Sequence, residues 1–293
     1  MDIFVSEYVI SKMTIPESQL SRWTNHGSQD NSKRTHESIR NALDCYQWPE
    51  QMTFDFSLQG SYKNDTNIRG DSDVDVIIKL NHAFCYECNS LSQSDQHKLK
   101  NTFQDSMYGL PDFKSHTLKA LSDKFGASVI EGNKAIKIKS DSNRLAADVI
   151  VCMEYRKYTS IDYFVKGIKF FTKLDKHRII NYPNEHYKRG VEKNELTDGM
   201  YKQTVRMFKN ARNHLVETRK ISQNLAPSYF LECFIYNAPD HAFQGSLQDI
   251  YCSIVDWMET CDVDEILCQN EQKYLFGSSA ESWTPESADE LSK

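Results

Sequence analysis

The sequence is poor in the residues that break or loosen a chain, with 11 glycines and 7 prolines in 293 residues. That scarcity excludes collagen-like and low-complexity architectures, and 12% aromatic residues exclude a chain too polar to bury a core. No long apolar run is present. The longest, Val149 to Met153, has five residues, where a membrane-spanning helix needs about 18 or more. An excess of positive charge is also missing. Lys and Arg number 35 against 41 Asp and Glu, a net charge of −6. Proteins that coat duplex nucleic acid need many cations to displace counterions from phosphate, so no stable nucleic-acid partner is expected. The start Met1-Asp2-Ile3-Phe4-Val5-Ser6-Glu7 is acidic where a secretory signal is basic, which predicts a cytoplasmic protein without a membrane segment.

The eight cysteines are scattered, as reduced thiols in a large core would be. His82-x-x-Cys85-x-x-Cys88 offers three potential zinc ligands. A structural zinc site needs four and usually two such knuckles, and the sequence holds no second Cys-x-x-Cys. The segment therefore reads as a polar loop containing two cysteines.

Periodicity organises the rest. Residues 31–46 place His36, Ile39, Leu43 and Tyr46 three or four apart, the stripe of an amphipathic helix. Phe54, Phe56 and Leu58 alternate with polar residues as in a strand, and Val74 to Leu80 is a second, more apolar strand. A helix over 112–125 stops at Gly126, and strands follow over 135–139 and 145–153. Beyond about 181 the pattern is mostly helical. The expected division is a mixed α/β domain over 1–155 and a helical lobe over 156–293.

The chemistry concentrates in Gln59-Gly60-Ser61 and, after eleven intervening residues, Asp73-Val74-Asp75-Val76. Residues two apart in a strand share a face, so Asp73 and Asp75 project together while Val74 and Val76 enter the core. Adjacent carboxylates repel unless a cation lies between them, and hard oxygen ligands suit magnesium. Asp148 interrupts Ala146-Ala147-Asp148-Val149-Ile150-Val151, an apolar strand in which a lone carboxylate is costly unless paired or metal-bound. If its strand lies beside 74–80, the three carboxylates form a site for two metal ions, with Gly60 and Ser61 as a tight turn cradling phosphate oxygens. A calcium hand is excluded, because its loop opening at Asp71 would need Gly and Glu where Val76 and His82 stand. The other reading is a solvated turn capped by aspartates.

Gly-Ser followed by Asp-x-Asp and a lone later Asp resembles the DNA-polymerase-beta-like nucleotidyltransferases. The stretch from Gln59 to Val76, with Ala226-Pro227-Ser228-Tyr229-Phe230-Leu231-Glu232-Cys233, Asn237-Ala238-Pro239 and Leu275-Phe276-Gly277, is similar to the bacterial cGAS-like nucleotidyltransferases, or CD-NTases. Pro16-Glu17-Ser18-Gln19-Leu20, Thr35-His36-Glu37-Ser38-Ile39-Arg40 and Asn181-Tyr182-Pro183 resemble their clade E. The resemblance implies a nucleotidyltransferase core sheet plus a helical C-terminal lobe, with the active site in the cleft between. It implies Asp73, Asp75 and Asp148 as metal ligands and catalytic residues for two magnesium ions, manganese substituting. Gln59 and Ser61 would hold the donor triphosphate beside Gly60, with Lys209 and Ser228 as further phosphate contacts and Tyr229 stacking on a base. Asn181 would select a pyrimidine; otherwise it merely turns the chain before Pro183. Lys202, Arg206, Lys209 and Arg212, taken alone, read as a solvated basic helix face.

The implied activity is a cyclic dinucleotide synthase of anti-phage signalling (CBASS) joining two pyrimidine triphosphates, UTP first and CTP or ATP as further substrates, with cyclic di-UMP as the expected product. A mixed cyclic UMP–AMP synthase, a non-cyclising nucleotidyltransferase and a nucleotide-binding module are the alternatives. The product would be read by a receptor effector encoded elsewhere.

Overall fold

The computed structural model describes residues 15–27, 29–69, 73–278 and 282–286. Contacts separate the chain into two compact units, one of residues 28–64 and 71–184 and one of residues 1–27, 65–70 and 185–293. Residue 155, where the division was expected, lies inside a strand; the chain passes from the first unit to the second after Asn184.

The first unit is built on one mixed sheet. Its strands are β1 (Phe54–Leu58), β2 (Val74–Glu87), β3 (Val129–Glu131), β4 (Ile136–Ile138), β5 (Ala147–Ser160), β6 (Tyr163–Phe171) and β7 (Arg178–Asn181). The order is β1-β2-β5-β4-β3, with β6 along the later half of β5 and β7 on β6. Among the described strands of this sheet, only β2 and β5 pair in parallel. A parallel pair needs a long crossover, and α4 (Gln93–Thr102) and α5 (Leu110–Phe125) lie within it, after α1 (Glu17–Trp23), α2 (Gln29–Asp44) and α3 (Gly60–Asn64).

Alternation decides which face each strand buries. Val74, Val76, Ile78 and Leu80 of β2 and Ala147, Val149 and Val151 of β5 enter a core shared with Ile39 and Leu43 of α2 and Phe113 and Leu121 of α5. Each such Val, Ile, Leu or Phe side chain contributes about 1.5–3 kcal/mol on full burial. The α2 stripe is thus a core face, as its spacing predicts, and buried Thr35 on it accepts a hydrogen bond from the Leu145 N–H at the entry to β5. Gly126 follows α5 at φ +54°, a backbone most side chains avoid.

The expected loop at His82–Cys88 is instead mostly strand. The register of β2 on β5 shifts between Leu80 and Phe84, with His82 at φ +59°, and pairing resumes over Phe84–Glu87. Phe84 and Tyr86 recover an apolar face by packing on Phe103, and Cys85 Sγ lies 3.2 Å from Met153 Sδ.

The second unit is helical, with α6 (Pro183–Leu196) entering it, then α7 (Met200–Glu217), α8 (Ser228–Tyr236) and α9 (Leu247–Thr260). Its core joins Leu20 of α1 with Tyr201, Val205, Phe234, Ile250 and Ile254. Glu17 accepts the N–H groups of Leu247 and Gln248 at 3.0 and 2.9 Å, satisfying two orphan donors at the start of α9 and tying α1 to it. No helix among the described residues is long and apolar enough to cross a membrane.

Candidate active site

Strand register assembles the first part of the site. Asp75 of β2 and Asp148 of β5 are direct partners in the parallel pairing, so their side chains leave the same face of the sheet side by side. Lys137 of β4 is in turn the register partner of Asp148, and its Nζ lies 3.2 Å from both Asp148 carboxylate oxygens. On the other side the Gln59 N–H donates to the Asp75 carbonyl at 2.9 Å. One row across the sheet therefore reads Gln59, Asp75, Asp148, Lys137.

The turn from β1 into α3 presses against this row. Gly60 has φ +65°, and a Cβ built there would stand 2.1 Å from Asp75 Oδ2. Both the backbone angle and the space require glycine. Asp73 sits exposed just before β2. Burial, and then the negative charge of Asp73, push the neighbouring Tyr62 phenol upward in pKa. The side chains of Gln59 and Ser61 make no hydrogen bond among the described residues.

The donor set suits a divalent cation. Two hard carboxylates stand side by side, and glycine at position 60 lets the turn approach Asp75 Oδ2 without a side chain between them. The present counter-charge is Lys137, 54% exposed against 25% for Asp148. Such a half-solvated pair is worth at most about 1 kcal/mol, so a divalent ion displaces it cheaply. Among the described residues no three His, Cys, Asp or Glu side chains close on one point; a cation here needs water or substrate oxygens to complete its shell.

Asn181 ends β7 as the register partner of Ile168. It is a strand residue with an exposed side chain, and the helix begins two residues later at Pro183. Its carboxamide makes no hydrogen bond among the described residues, so both its donor and its acceptor are unspent.

In the helical unit, Arg206, Lys209 and Arg212 of α7 are buried, which removes the solvated-face reading. Lys209, 2% exposed, donates to the Thr66 carbonyl, the Thr66 hydroxyl and Glu232 Oε2 at 3.2, 3.2 and 3.0 Å. An ammonium has three N–H groups, so in this arrangement all are spent within the unit. Glu232 also accepts from Thr66 at 2.9 Å and meets His186 Nε2 at 3.0 Å. Burial works to raise the Glu232 pKa, but the charges and hydrogen bonds of Lys209 and His186 outweigh it and hold the carboxyl far below its ordinary range. Arg206 bonds the Thr24 and Asp65 carbonyls, which together with Lys209 fixes residues 65 and 66 of the connection between α3 and β2.

Ser228 Oγ accepts from Arg212 at 3.1 Å, leaving its own proton to donate. Tyr229 is anchored at its hydroxyl by Asn270 and stacked on His186, with ring centroids 5.4 Å apart at 23°. The residue is nevertheless half exposed.

Lys137 and Glu232 escaped the sequence reading. Lys137 was visible as the polar member of an Ile-Lys-Ile alternation, but its partner depends on strand register. Glu232 was as conspicuous as Asp148, a lone carboxylate within Phe230-Leu231-Glu232-Cys233-Phe234.

Comparison with known proteins follows this division. Residues 188–293 match the cGAS/DncV-like nucleotidyltransferase C-terminal helical domain. A cyclic UMP-AMP synthase of Rhodothermus marinus is 46% identical over 94% of both chains. A cyclic dipurine nucleotide synthase of Elizabethkingia meningoseptica is 33% identical over 79% of each, and a cyclic dipyrimidine nucleotide synthase of Legionella pneumophila 32% identical over 89% of this chain and 90% of that one. The solved structure of the Rhodothermus marinus CdnE c-UMP-AMP synthase with Apcpp and Upnpp aligns with a TM-score of 0.87 at 44% identity, over 95% of this chain and 94% of that one.

Proposed function

The chain belongs to the cGAS/DncV-like nucleotidyltransferases and is a cyclic dinucleotide synthase of the CdnE type, and from that premise we propose that it joins UTP to ATP as cyclic UMP–AMP. The observation that carries the site assignment is the side-by-side placement of Asp75 and Asp148 against Gly60. The base assignment rests on a narrower argument. One free carboxamide, Asn181, suits the edge of one uracil, and the relative that shares 46% of its residues uses one uridylate and one adenylate by its name. Relatives near 32–33% identity are named for dipurine and dipyrimidine products, so distance of that order does not fix the bases.

Cyclic di-UMP is the second reading. It is favoured if a single pocket around Asn181 accepts each base in turn, and the dipyrimidine relative supports it. CTP would then be a further substrate.

In the proposed reaction a ribose hydroxyl of one nucleotide attacks the α-phosphorus of the other. The new oxygen–phosphorus bond forms as the bond to pyrophosphate breaks, and a second such step closes the ring with release of a second pyrophosphate. Asp73, Asp75 and Asp148 would hold two divalent ions, magnesium or manganese, and bound metal supplies charge neutralisation and a more acidic attacking hydroxyl. Asp148 would receive the hydroxyl proton once Lys137 has left it. The unbonded Gln59 and Ser61 side chains would bond the donor triphosphate, Gly60 keeps the turn close to Asp75, and Ser228 donates to a second phosphate oxygen. Tyr229, a half-exposed residue, would stack on a base, worth about 1–3 kcal/mol. Lys209 acts as a positioning residue through Thr66 and Glu232. The site would work in the cytoplasm, where triphosphates are supplied, and its product would signal phage infection to a separate receptor.

The test is incubation of purified protein with the four ribonucleoside triphosphates, singly and in pairs, with magnesium or manganese, then phosphatase treatment and mass spectrometry. A resistant product holding one uridylate and one adenylate supports the first reading, two uridylates the second. A resistant product without uridylate contradicts both.

A further inference from the structure

The sheet unit contains a cavity of 510 Å³ on the face opposite Asp148. Its floor is apolar, formed by Leu118 of α5, Ile136 of β4, Val149 and Val151 of β5, and Phe171 of β6. Alternation turns Ile136 and Val149 away from Lys137 and Asp148, so the cavity and the carboxylates share strands β4 and β5 but not a surface.

The mouth has the opposite character. Lys114, Lys134, Lys173 and Lys176 line it with a single acid, Glu131. Glu131 is bonded by Lys114 at 3.1 Å and Lys173 at 2.8 Å. Lys134 and Lys176 form no ion pair among the described residues. The two turns bearing them are fixed to each other: the N–H groups of Lys173 and Leu174 donate to the Asn133 carbonyl and side-chain oxygen at 2.8 and 3.0 Å. Four cations against one anion leave this rim strongly positive in a chain whose net charge is −6.

We propose that this cavity is a second ligand site, separate from the carboxylates, for a small amphipathic anion: a flat apolar or aromatic body with one or two negative charges at one end. An inorganic anion leaves the apolar floor uncovered, and a neutral hydrophobe leaves Lys134 and Lys176 unanswered. Only a ligand with both features meets the floor and the rim together.

The probe is anilinonaphthalene sulfonate, an aromatic body with one sulfonate, titrated calorimetrically into the full chain alongside its uncharged parent amine. Saturable one-site binding is expected, with the neutral amine weaker. Lys134→Glu with Lys176→Glu, both exposed surface changes, should weaken the sulfonate about tenfold. Ser115→Trp, an exposed helix position that lines the cavity, should block both probes by filling it. Thermal melts of the variants check folding. Absence of saturable binding, or equal affinity in the intact chain and both variants, would overturn the proposal. None of these readouts depends on nucleotide synthesis.

Discussion

Asp75 Oδ2 occupies the space that a side chain on residue 60 would need, 2.1 Å from the ideal Cβ position, while Gly60 itself stands at φ +65°. The sheet carboxylate and the turn after β1 are thus held in one geometry by an absent methyl group. Gly60→Ala is expected to cost about 1–2 kcal/mol from the backbone angle alone and to push the carboxylate aside. A displacement of about 1 Å at a reacting centre lowers rates by about 100-fold. Synthesis should fall by at least that factor while far-UV circular dichroism stays native; unaltered synthesis would remove the turn from the site.

Lys137 holds both oxygens of Asp148 at 3.2 Å. Lys137→Met should free the carboxylate for metal and lower the divalent-ion concentration needed for half-maximal binding several-fold, read by manganese titration in an electron paramagnetic resonance experiment. Because the pair is half solvated, stability should change by less than about 1 kcal/mol. Unchanged manganese affinity would mean that Lys137 does not compete for the site.

Glu232 neutralises Lys209 inside the helical unit. Glu232→Gln leaves that ammonium without its charge partner and is expected to cost about 3–5 kcal/mol, measured by urea unfolding. The pH dependence has a definite sign. A carboxyl whose folded pKa is depressed contributes stability that is complete above its unfolded pKa, about 4.5, and is lost as pH falls from there through the folded value. The wild-type protein should therefore lose stability below about pH 4.5 more steeply than Glu232→Gln. Parallel acid limbs would contradict the ion-pair account.

Asn181 offers an exposed amide with neither group bonded. Asn181→Ser shortens the reach and removes the paired donor and acceptor, so use of UTP should fall relative to purine triphosphates by about 10-fold or more. The check is competition between UTP and GTP for incorporation; an unchanged ratio would leave Asn181 as a strand end only.

Much of the site was legible because its chemistry conflicts with its surroundings. Asp148 stood out as a charge in an apolar strand, and the neighbouring of its strand with 74–80 that the three-carboxylate reading required is present, as a parallel β2–β5 pair. Glu232 carried the same signal on α8 and pairs with Lys209, 23 positions away. What sequence could not supply was nonlocal register: Lys137 meets Asp148 only because β4 pairs antiparallel to β5 with those two residues opposite. The division near residue 155 falls inside a strand for a related reason. Leu145–Met153 looks like one strand, but β5 continues to Ser160 because Tyr155 and Tyr158 keep a buried face against β6, carrying the unit on to Asn184.

The measurement that bears most directly on the account compares wild-type protein with Asp75→Asn/Asp148→Asn for conversion of radiolabelled UTP and ATP into phosphatase-resistant product with magnesium present. The account predicts cyclic product containing uridylate from the wild type, and none from the double variant at a native circular dichroism spectrum. Undiminished product from the folded double variant would contradict it.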